Sequence, residues 1–498
     1  MLPGTIAVSK PKRGRIQVDR RIWPMIMVIG LFGFIVVKEV SLPSGVIAAL
    51  GGLSLLGLLM TGIQYPEMPL YVLVAYLPFS RLLTGDFGTN AYALNMTNIL
   101  IGWVIIGHSM KIVNSRHRVP MSSPMNFGVA LFCFMGAISL VRTGFEYGGW
   151  YMSEIVTHFK RWFTPVFLYF LTLWVVREKR ILKTVVILIM VAMVMVALMS
   201  IRDYMYVDDS SLEKARVGGI AEHSNTLGAF FVYYMFLFFG YFLTFSKKAK
   251  AWFLLIPFGL CFRGIMVTFS RGAYLGFAAG ILAAFFYRSK IMFLAVLAVG
   301  AVIVANPIFL PAGIRYRMSQ TAVERGPSSS LLAEGALEEG LEASASTRIK
   351  IWKGALKMIE EHPLWGVGYG AFPAFIPSYT EGAIGHMDAH NSYLLIAAEM
   401  GLPTLAVFLL VLLMALYYSW WLYRRTKDLD LKAIALGVLS GLCGLVVTNM
   451  FGSRMDDQAV SSYFWILCAI VIRGVLMERQ EMRRLALERR KAKEVQEA

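Results

Sequence analysis

The residues with the clearest chemical potential lie in the stretch GHMDAHNSYLLIAAEMGLP, which occupies residues 385–403. It places His390 directly ahead of an apolar segment. A neutral imidazole accepts a proton near pH 7, which makes His390 a candidate general base. Asp388, Asn391 and Tyr393 are close enough in sequence to orient the imidazole or a bound substrate. The alternative is that His390 is an ordinary hydrogen-bonding residue of a loop.

The same stretch carries signals for the start and end of a helix. We predict that Asp388 caps a short helix over residues 389–400, that Gly401 ends it and that Pro403 starts the next helix. His390 would then lie in the first turn, where the helix dipole favours the uncharged ring. We expect this helix to lie on or just outside the outer membrane face.

Three arginines are candidates for holding an anionic substrate. Arg271 lies in FSRGAYLG between two apolar runs, and Arg216 lies ahead of another run in EKARVGGIAEHSNTLGAFF, which also contains Asn225. Arg348 lies in STRIKIWKG. A guanidinium binds phosphate oxygens in pairs and does not lose its proton. Arginine near the hydrocarbon boundary of a membrane is costly, which favours a functional role, although Arg271 could instead extend to the lipid surface.

Arg348 precedes a segment with helical periodicity. We predict a helix that ends at His362 and Pro363, with Arg348 in its first turn, where the dipole attracts anions. Its predicted apolar face is formed by Ile349, Trp352, Leu356 and Ile359.

The elements that position these residues are membrane helices. The 498 residues are 57% hydrophobic and 16% charged, and apolar runs long enough to cross a bilayer recur along the chain. The predicted fold is an all-α polytopic membrane protein with about 12–14 transmembrane helices and a large periplasmic loop that contains short helices. Its predicted spans are residues 24–40, 44–63, 68–80, 94–110, 124–141, 161–176, 181–200, 224–245, 251–268, 272–287, 291–310, 403–422, 432–450 and 459–476.

Charge distribution predicts the orientation. More than half of the 48 Lys and Arg residues lie in segments that share one side of the membrane, which predicts a cytoplasmic N-terminal tail, residues 1–23, and a cytoplasmic C-terminal tail, residues 477–498. The spans of 24–310 and 403–476 then enclose a periplasmic loop, residues 311–402. The net charge of +17 is accounted for by this bias, and the basic C-terminal tail is expected to contact anionic lipid headgroups and not nucleic acid.

No metal or cofactor is predicted. The acidic pairs Asp208-Asp209 and Asp456-Asp457 lack the spacing of a metal site, and we interpret them as solvated turns. The glycines of GVGYGAF have no following Lys-Ser/Thr and are interpreted as tight turns, not as a nucleotide loop. The four cysteines fall in apolar runs and are predicted to be packing residues.

Two elements resemble a known family. Arg271-Gly-Ala-Tyr-Leu275 is similar to the Arg-x3-Leu element, and His390 with Gly401 to the His-x10-Gly element, of the bacterial O-antigen ligase and polymerase family. The resemblance extends over residues 200–455. It implies a metal-independent, inverting glycosyltransferase of the bacterial inner membrane that takes its glycan from undecaprenyl diphosphate on the periplasmic side.

The resemblance also implies roles for individual residues. His390 is the expected base, and Arg271, Arg348 and Arg216 are expected to bind the donor diphosphate. The expected supporting residues are Asn225, Asp388, Asn391, Tyr393 and Gly401.

Several alternatives for the function stay open. The acceptor could be lipid A-core, a second lipid-linked glycan or a protein, and the acidic segment 331–342 is a hypothetical acceptor determinant. A transporter or flippase of a lipid-linked or small anionic cargo is the alternative to an enzyme. Transporters place their sites near the bilayer midplane, whereas the polar residues here are predicted at the outer face.

Overall fold

The structure is a computed structural model. It describes residues 65, 67–83, 95–113, 122–206, 217–221, 223–306, 308 and 343–497. The N-terminal tail, the first two predicted spans, Asp208-Asp209, Arg216 and the acidic segment 331–342 lie outside the described residues.

The described chain is built from helices. In order, they are α1 (Met68–Tyr76), α2 (Ser80–Leu83), α3 (Met96–Val113), α4 (Pro124–Tyr147), α5 (Gly149–Val175), α6 (Lys179–Met205), α7 (Ser224–Tyr234), α8 (Phe236–Phe245), α9 (Ala249–Trp252), α10 (Leu255–Thr268), α11 (Arg271–Arg288), α12 (Lys290–Ala305), α13 (Ala343–Glu361), α14 (Phe372–Tyr379), α15 (Ser392–Met400), α16 (Leu402–Arg425), α17 (Leu429–Thr448) and α18 (Gln458–Glu497). Short 3-10 turns lie at Leu77–Phe79, Gly219–Ala221, Asn449–Phe451 and Arg454–Asp456.

Seven stretches of the described chain are long and apolar enough to cross a membrane. They correspond to α4, α6, α7 with α8, α9 with α10, α16, α17 with its 3-10 turn, and α18. The prediction of an all-α polytopic membrane protein is therefore confirmed. The last span and the basic C-terminal tail form one continuous helix of 40 residues, because the tail contains strong helix formers and no proline.

Glycine contacts bring the central helices close together. A Cβ on Gly240 of α8 would meet the backbone of Gly437 in α17, and a Cβ on Gly276 of α11 would lie 3.0 Å from the carbonyl oxygen of Gly444. Small residues allow helix backbones to approach closely in a membrane, where packing drives association. Helix α17 is consequently held between α8 and α11, and the 3-10 turn that follows it is fixed next to the start of α11.

The cysteines have the predicted packing role. Cys261 and Cys468 are buried and Cys133 and Cys443 are half-buried, all as free thiols.

Candidate active site

His390 precedes helix α15 and does not belong to it. Asn391 is the N-cap, since its Oδ1 accepts hydrogen bonds from the backbone N–H groups of Tyr393 (2.9 Å) and Leu394 (3.2 Å). The predictions that Asp388 is the cap and that His390 lies in the first turn are therefore wrong. Asp388 instead accepts a hydrogen bond from the backbone N–H of His390 (3.1 Å). Helix α15 is mostly buried within the protein.

The backbone of His390 is held in an uncommon conformation. Its φ of 48° lies in the left-handed region, which a residue with a side chain adopts only when its surroundings enforce it. Two contacts do so, because Asp388 binds the His390 N–H and the indole Nε1 of Trp352 donates to the carbonyl of Ala389 (3.0 Å). Asp388 Oδ2 also lies 3.5 Å from His390 Nδ1. The position of the imidazole is thus set by Trp352 of α13 and by Asp388 of the segment that contains His390.

Removing the indole N–H should misplace His390. We expect Trp352→Phe, which keeps an aromatic ring but loses the bond to Ala389, to lower the turnover of the reaction proposed below about 3- to 10-fold, as one hydrogen bond predicts. Trp365→Phe, at an exposed tryptophan, is the matched control and should leave turnover unchanged. Equal turnover in both variants would remove Trp352 from the site.

The charges around His390 come from four segments of the chain. Partial burial lowers the pKa of His390; Asp388 raises it, and Arg348, Arg454 and His223 lower it further. His390 and Arg348, both predicted, therefore lie in one electrostatic environment. We define the candidate site as His390, Asp388, Arg348, Arg454 and His223.

Sequence reasoning missed two members of this site. His223 lies directly ahead of α7, in the quoted stretch from which Arg216 and Asn225 were selected. Arg454 lies in the short segment GSRMDD between α17 and α18, ahead of the acidic pair. The sequence feature that could have identified Arg454 is a positive charge in a short connector between two membrane helices.

Helix α13 places Arg348 differently from the prediction. The helix begins at Ala343, so Arg348 lies in its second turn. Ile359 of the predicted face is buried, whereas Leu356 is 57% exposed. The rest of the buried face is formed by Ile351, Ala355 and Met358. The register differs because α13 packs against α14 and α15. Trp352, which also belongs to the predicted face, is half-buried, and its indole donates to the carbonyl of Ala389 next to His390.

Arg271 and Asn225 both lie at helix starts. Arg271 is the first residue of α11, which is capped by Ser270, whose Oγ accepts from the backbone N–H of Ala273. Gly272 lies against Phe451, and the Phe451 carbonyl accepts a hydrogen bond from Arg454 (3.0 Å). The start of α11 is thereby joined to the candidate site. Asn225 is the second residue of α7 and is half-buried.

Two other predicted supporting residues position helix α15. The Tyr393 hydroxyl donates to the carbonyl of Val446 in α17 (2.9 Å), which ties the start of α15 to the membrane helices. Gly401 ends α15 as predicted, with a φ of 84°, and Pro403 lies in the first turn of α16. Both act on the backbone that carries His390.

Gly401 should be sensitive to any side chain. Its φ is unfavourable for other residues, and a Cβ would collide with the carbonyl of Leu364. We expect Gly401→Ala to destabilise the protein by about 1–3 kcal/mol or more, visible as a lower thermal unfolding midpoint in detergent. Gly385→Ala, at an exposed glycine with open space around it, is the control and should have little effect. Equal midpoints for the two variants would contradict this expectation.

The glycines of GVGYGAF permit tight turns, as predicted. Gly366, Gly368 and Gly370 all have positive φ. The loop lies on the end of α15, where Val367 and Gly368 donate backbone hydrogen bonds to the carbonyls of Ala398 (2.8 Å) and Glu399 (3.0 Å).

The buried carboxyl of Glu399 is part of the same contact. It accepts a hydrogen bond from the backbone N–H of Phe372 (3.2 Å), and burial raises its pKa to about 8. The C-terminal end of α15 is therefore fixed by a loop whose conformation only glycine adopts easily.

The segment between α17 and α18 completes the site. The backbone N–H of Arg454 donates to Ser392 Oγ (3.1 Å), and that hydroxyl donates to the carbonyl of Gly452 (2.9 Å). Ser392 is two residues from His390, so these bonds join the segment to the base.

The two residues of the acidic pair in this segment differ: Asp456 is exposed in a turn, as predicted, whereas Asp457 is half-buried and paired, contrary to the prediction. Asp457 accepts from the backbone N–H of Val460 (3.0 Å) and pairs with Arg81 (3.3 Å). Asp456 is exposed to solvent. Within the described ranges, no group of three His, Cys, Asp or Glu residues has the arrangement of a metal site.

The comparisons with known proteins agree with the resemblance. Residues 256–409 match the family model described as O-Antigen ligase, which confirms the resemblance over that region. A search of curated proteins finds no match. The matched region contains Arg271, Arg348, His390 and Gly401, whereas Arg454 lies outside it.

Proposed function

We propose that this polytopic membrane protein, whose residues 256–409 match the O-antigen ligase family, transfers a glycan from undecaprenyl diphosphate to an acceptor hydroxyl. The match indicates O-antigen ligase-type glycosyl transfer in general terms. The observation that carries the finer proposal is the cluster in which a proton acceptor, His390, lies in the field of Arg348 and Arg454. A glycosyl diphosphate requires both groups, because it brings negative charge to the place where a hydroxyl must lose its proton.

The reaction follows from the chemistry of these groups. The acceptor oxygen attacks the anomeric carbon and forms the new C–O bond, while the bond from that carbon to the diphosphate oxygen breaks with its electron pair. This direct displacement inverts the anomeric configuration. His390 accepts the proton of the attacking hydroxyl, and Asp388 stabilises the imidazolium that forms.

The arginines act on the leaving group. Arg348 and Arg271, with Arg216, bind the diphosphate oxygens and stabilise the charge that develops as the bond breaks. Asn225 is proposed as a further polar contact of the donor. None of these steps uses a metal or a cofactor.

We place this reaction on the periplasmic side of the bacterial inner membrane, with both termini in the cytoplasm. This orientation follows from the predicted excess of Lys and Arg in the segments on the cytoplasmic side. Helix α18 supports it, since its basic continuation extends from the end opposite to Arg454.

The acceptor is best identified by an assay with defined components. Purified protein is incubated in EDTA with undecaprenyl diphosphate-linked glycan, with and without lipid A-core, and products are analysed by gel and mass spectrometry. Glycan on lipid A-core indicates a ligase, which we slightly favour, and a ladder on undecaprenyl diphosphate indicates a polymerase. Glycan on added protein indicates protein O-glycosylation. Failure with all three acceptors would contradict the proposal and favour a transporter.

A further inference from the structure

Arg454 is a buried cation beside the candidate base. Its side chain is 7% exposed, and its guanidinium donates from Nη1 to Thr226 Oγ1 (3.2 Å) and from Nη2 to the carbonyl of Phe451 (3.0 Å). A Cβ at Gly452 would collide with the guanidinium, so this group lies directly over the Gly452 backbone. Its position is therefore fixed by α7 and by the segment that follows α17.

This charge lacks the usual neutralising partner. Among the residues that the structure describes, no carboxylate lies within ion-pair distance of Arg454, and its buried Nε has no hydrogen-bond partner. Burying a charge without a paired carboxylate is costly. Packing alone does not explain why an arginine occupies this position, because an apolar side chain of similar size would fill the space at lower cost.

We propose that Arg454 is a positioning residue for glycosyl transfer, whose fixed positive charge keeps the His390 imidazole neutral and able to accept a proton. The link between them is short, since the Arg454 N–H binds Ser392, two residues after His390. This inference rests on the proposed function, in which His390 is the base.

The charges that face His390 explain why a fixed cation is needed. Partial burial disfavours the protonated ring, and Asp388 on the same segment favours it. Arg348 from α13, Arg454 and His223 from the start of α7 oppose protonation. A bound diphosphate adds negative charge and would itself favour protonation of the imidazole. Arg454, which is held by protein hydrogen bonds, retains its position when the donor binds and offsets that effect.

The experiment follows the protonation of His390 without relying on transfer. Diethyl pyrocarbonate reacts with a histidine only when its imidazole is unprotonated. Mass spectrometry of peptides gives the rate of modification at each histidine as a function of pH. Wild type, Arg454→Gln and Arg454→Lys are compared as purified full-length proteins that elute as single species. The half-exposed His390 is accessible to the reagent, and exposed His362 serves as an internal control.

We expect Arg454→Gln to slow modification of His390 roughly threefold at pH 6, because more of the ring is protonated when the cation is lost. Arg454→Lys keeps the charge and should retain the wild-type rate, and the rate at His362 should not change. An unchanged His390 rate in Arg454→Gln would overturn the proposal.

The wild-type modification profile and the pH dependence of transfer provide two further tests. If Arg454→Gln does not fold, the wild-type profile can still contradict the proposal, since a midpoint for His390 at or above the usual histidine value of about 6.5 would overturn it. In transfer assays, the acid limb of kcat/KM should move to higher pH in Arg454→Gln and not in Arg454→Lys. If wild type shows no transfer, the proposed function fails while the modification rates still test Arg454.

Discussion

His390→Asn should abolish most of the transfer activity, with a loss of about 10²- to 10⁴-fold in kcat. Asparagine tolerates the left-handed backbone that His390 adopts, so this substitution removes the proton acceptor with little backbone strain. The hydrogen bonds of Asp388 to the backbone N–H of residue 390 and of Trp352 to the carbonyl of residue 389 are retained. The loss therefore reports proton transfer and not unfolding. Activity is measured as the initial rate of glycan transfer at saturating donor.

The matched control is His386→Asn. His386 is exposed and its ring contacts the carbonyl of Pro373 (2.9 Å), four residues before His390 in the same segment. We expect wild-type transfer from this variant. A His390→Asn protein with transfer within a few-fold of wild type would show that another group takes the proton.

The second large effect is expected for Arg348→Gln. Loss of a charge-assisted hydrogen bond to the diphosphate should weaken donor affinity about 10- to 100-fold. Affinity is best measured by equilibrium binding of undecaprenyl diphosphate-linked glycan to protein that also carries His390→Asn, because turnover then does not consume the donor. Arg271→Gln should weaken binding in the same direction.

Lys350→Gln provides the charge-matched control on the same helix. Lys350 is exposed, and removing its charge should leave donor affinity unchanged at physiological salt, where exposed charges are screened. Equal loss of affinity in Arg348→Gln and Lys350→Gln would indicate a general electrostatic effect. Unchanged affinity in both would remove Arg348 from the donor site.

Much of the architecture could be predicted because a bilayer restricts the chain to apolar helices of a given length. The boundaries of α10, α11 and α16 lie close to the predicted spans for this reason. Gly401 and Pro403 were also predictable, since helix ends have local sequence signals. The cap of α15 was not, because Asp388 and Asn391 are both good capping residues and the choice depends on the fold around them.

The composition of the site depended on contacts between distant segments. His390 and Arg348 could be proposed from residue type, but the register of α13 is set by α14 and α15, which shifted its buried face away from the predicted one. Arg454 reaches the site because Gly437, Gly441 and Gly444 let α17 pack closely against α8, α7 and α11. Periodicity within one segment contains no information about such a contact.

The most direct test of the central claim is whether the purified protein makes a glycosidic bond in detergent, where no membrane separates two compartments. Release of undecaprenyl diphosphate and formation of the new glycoside are measured together in one reaction with donor, acceptor and EDTA. We predict equal molar amounts of the two products, with inverted anomeric configuration in the glycoside. Donor that binds but stays intact with every acceptor would contradict the account and indicate that the protein binds or moves its cargo.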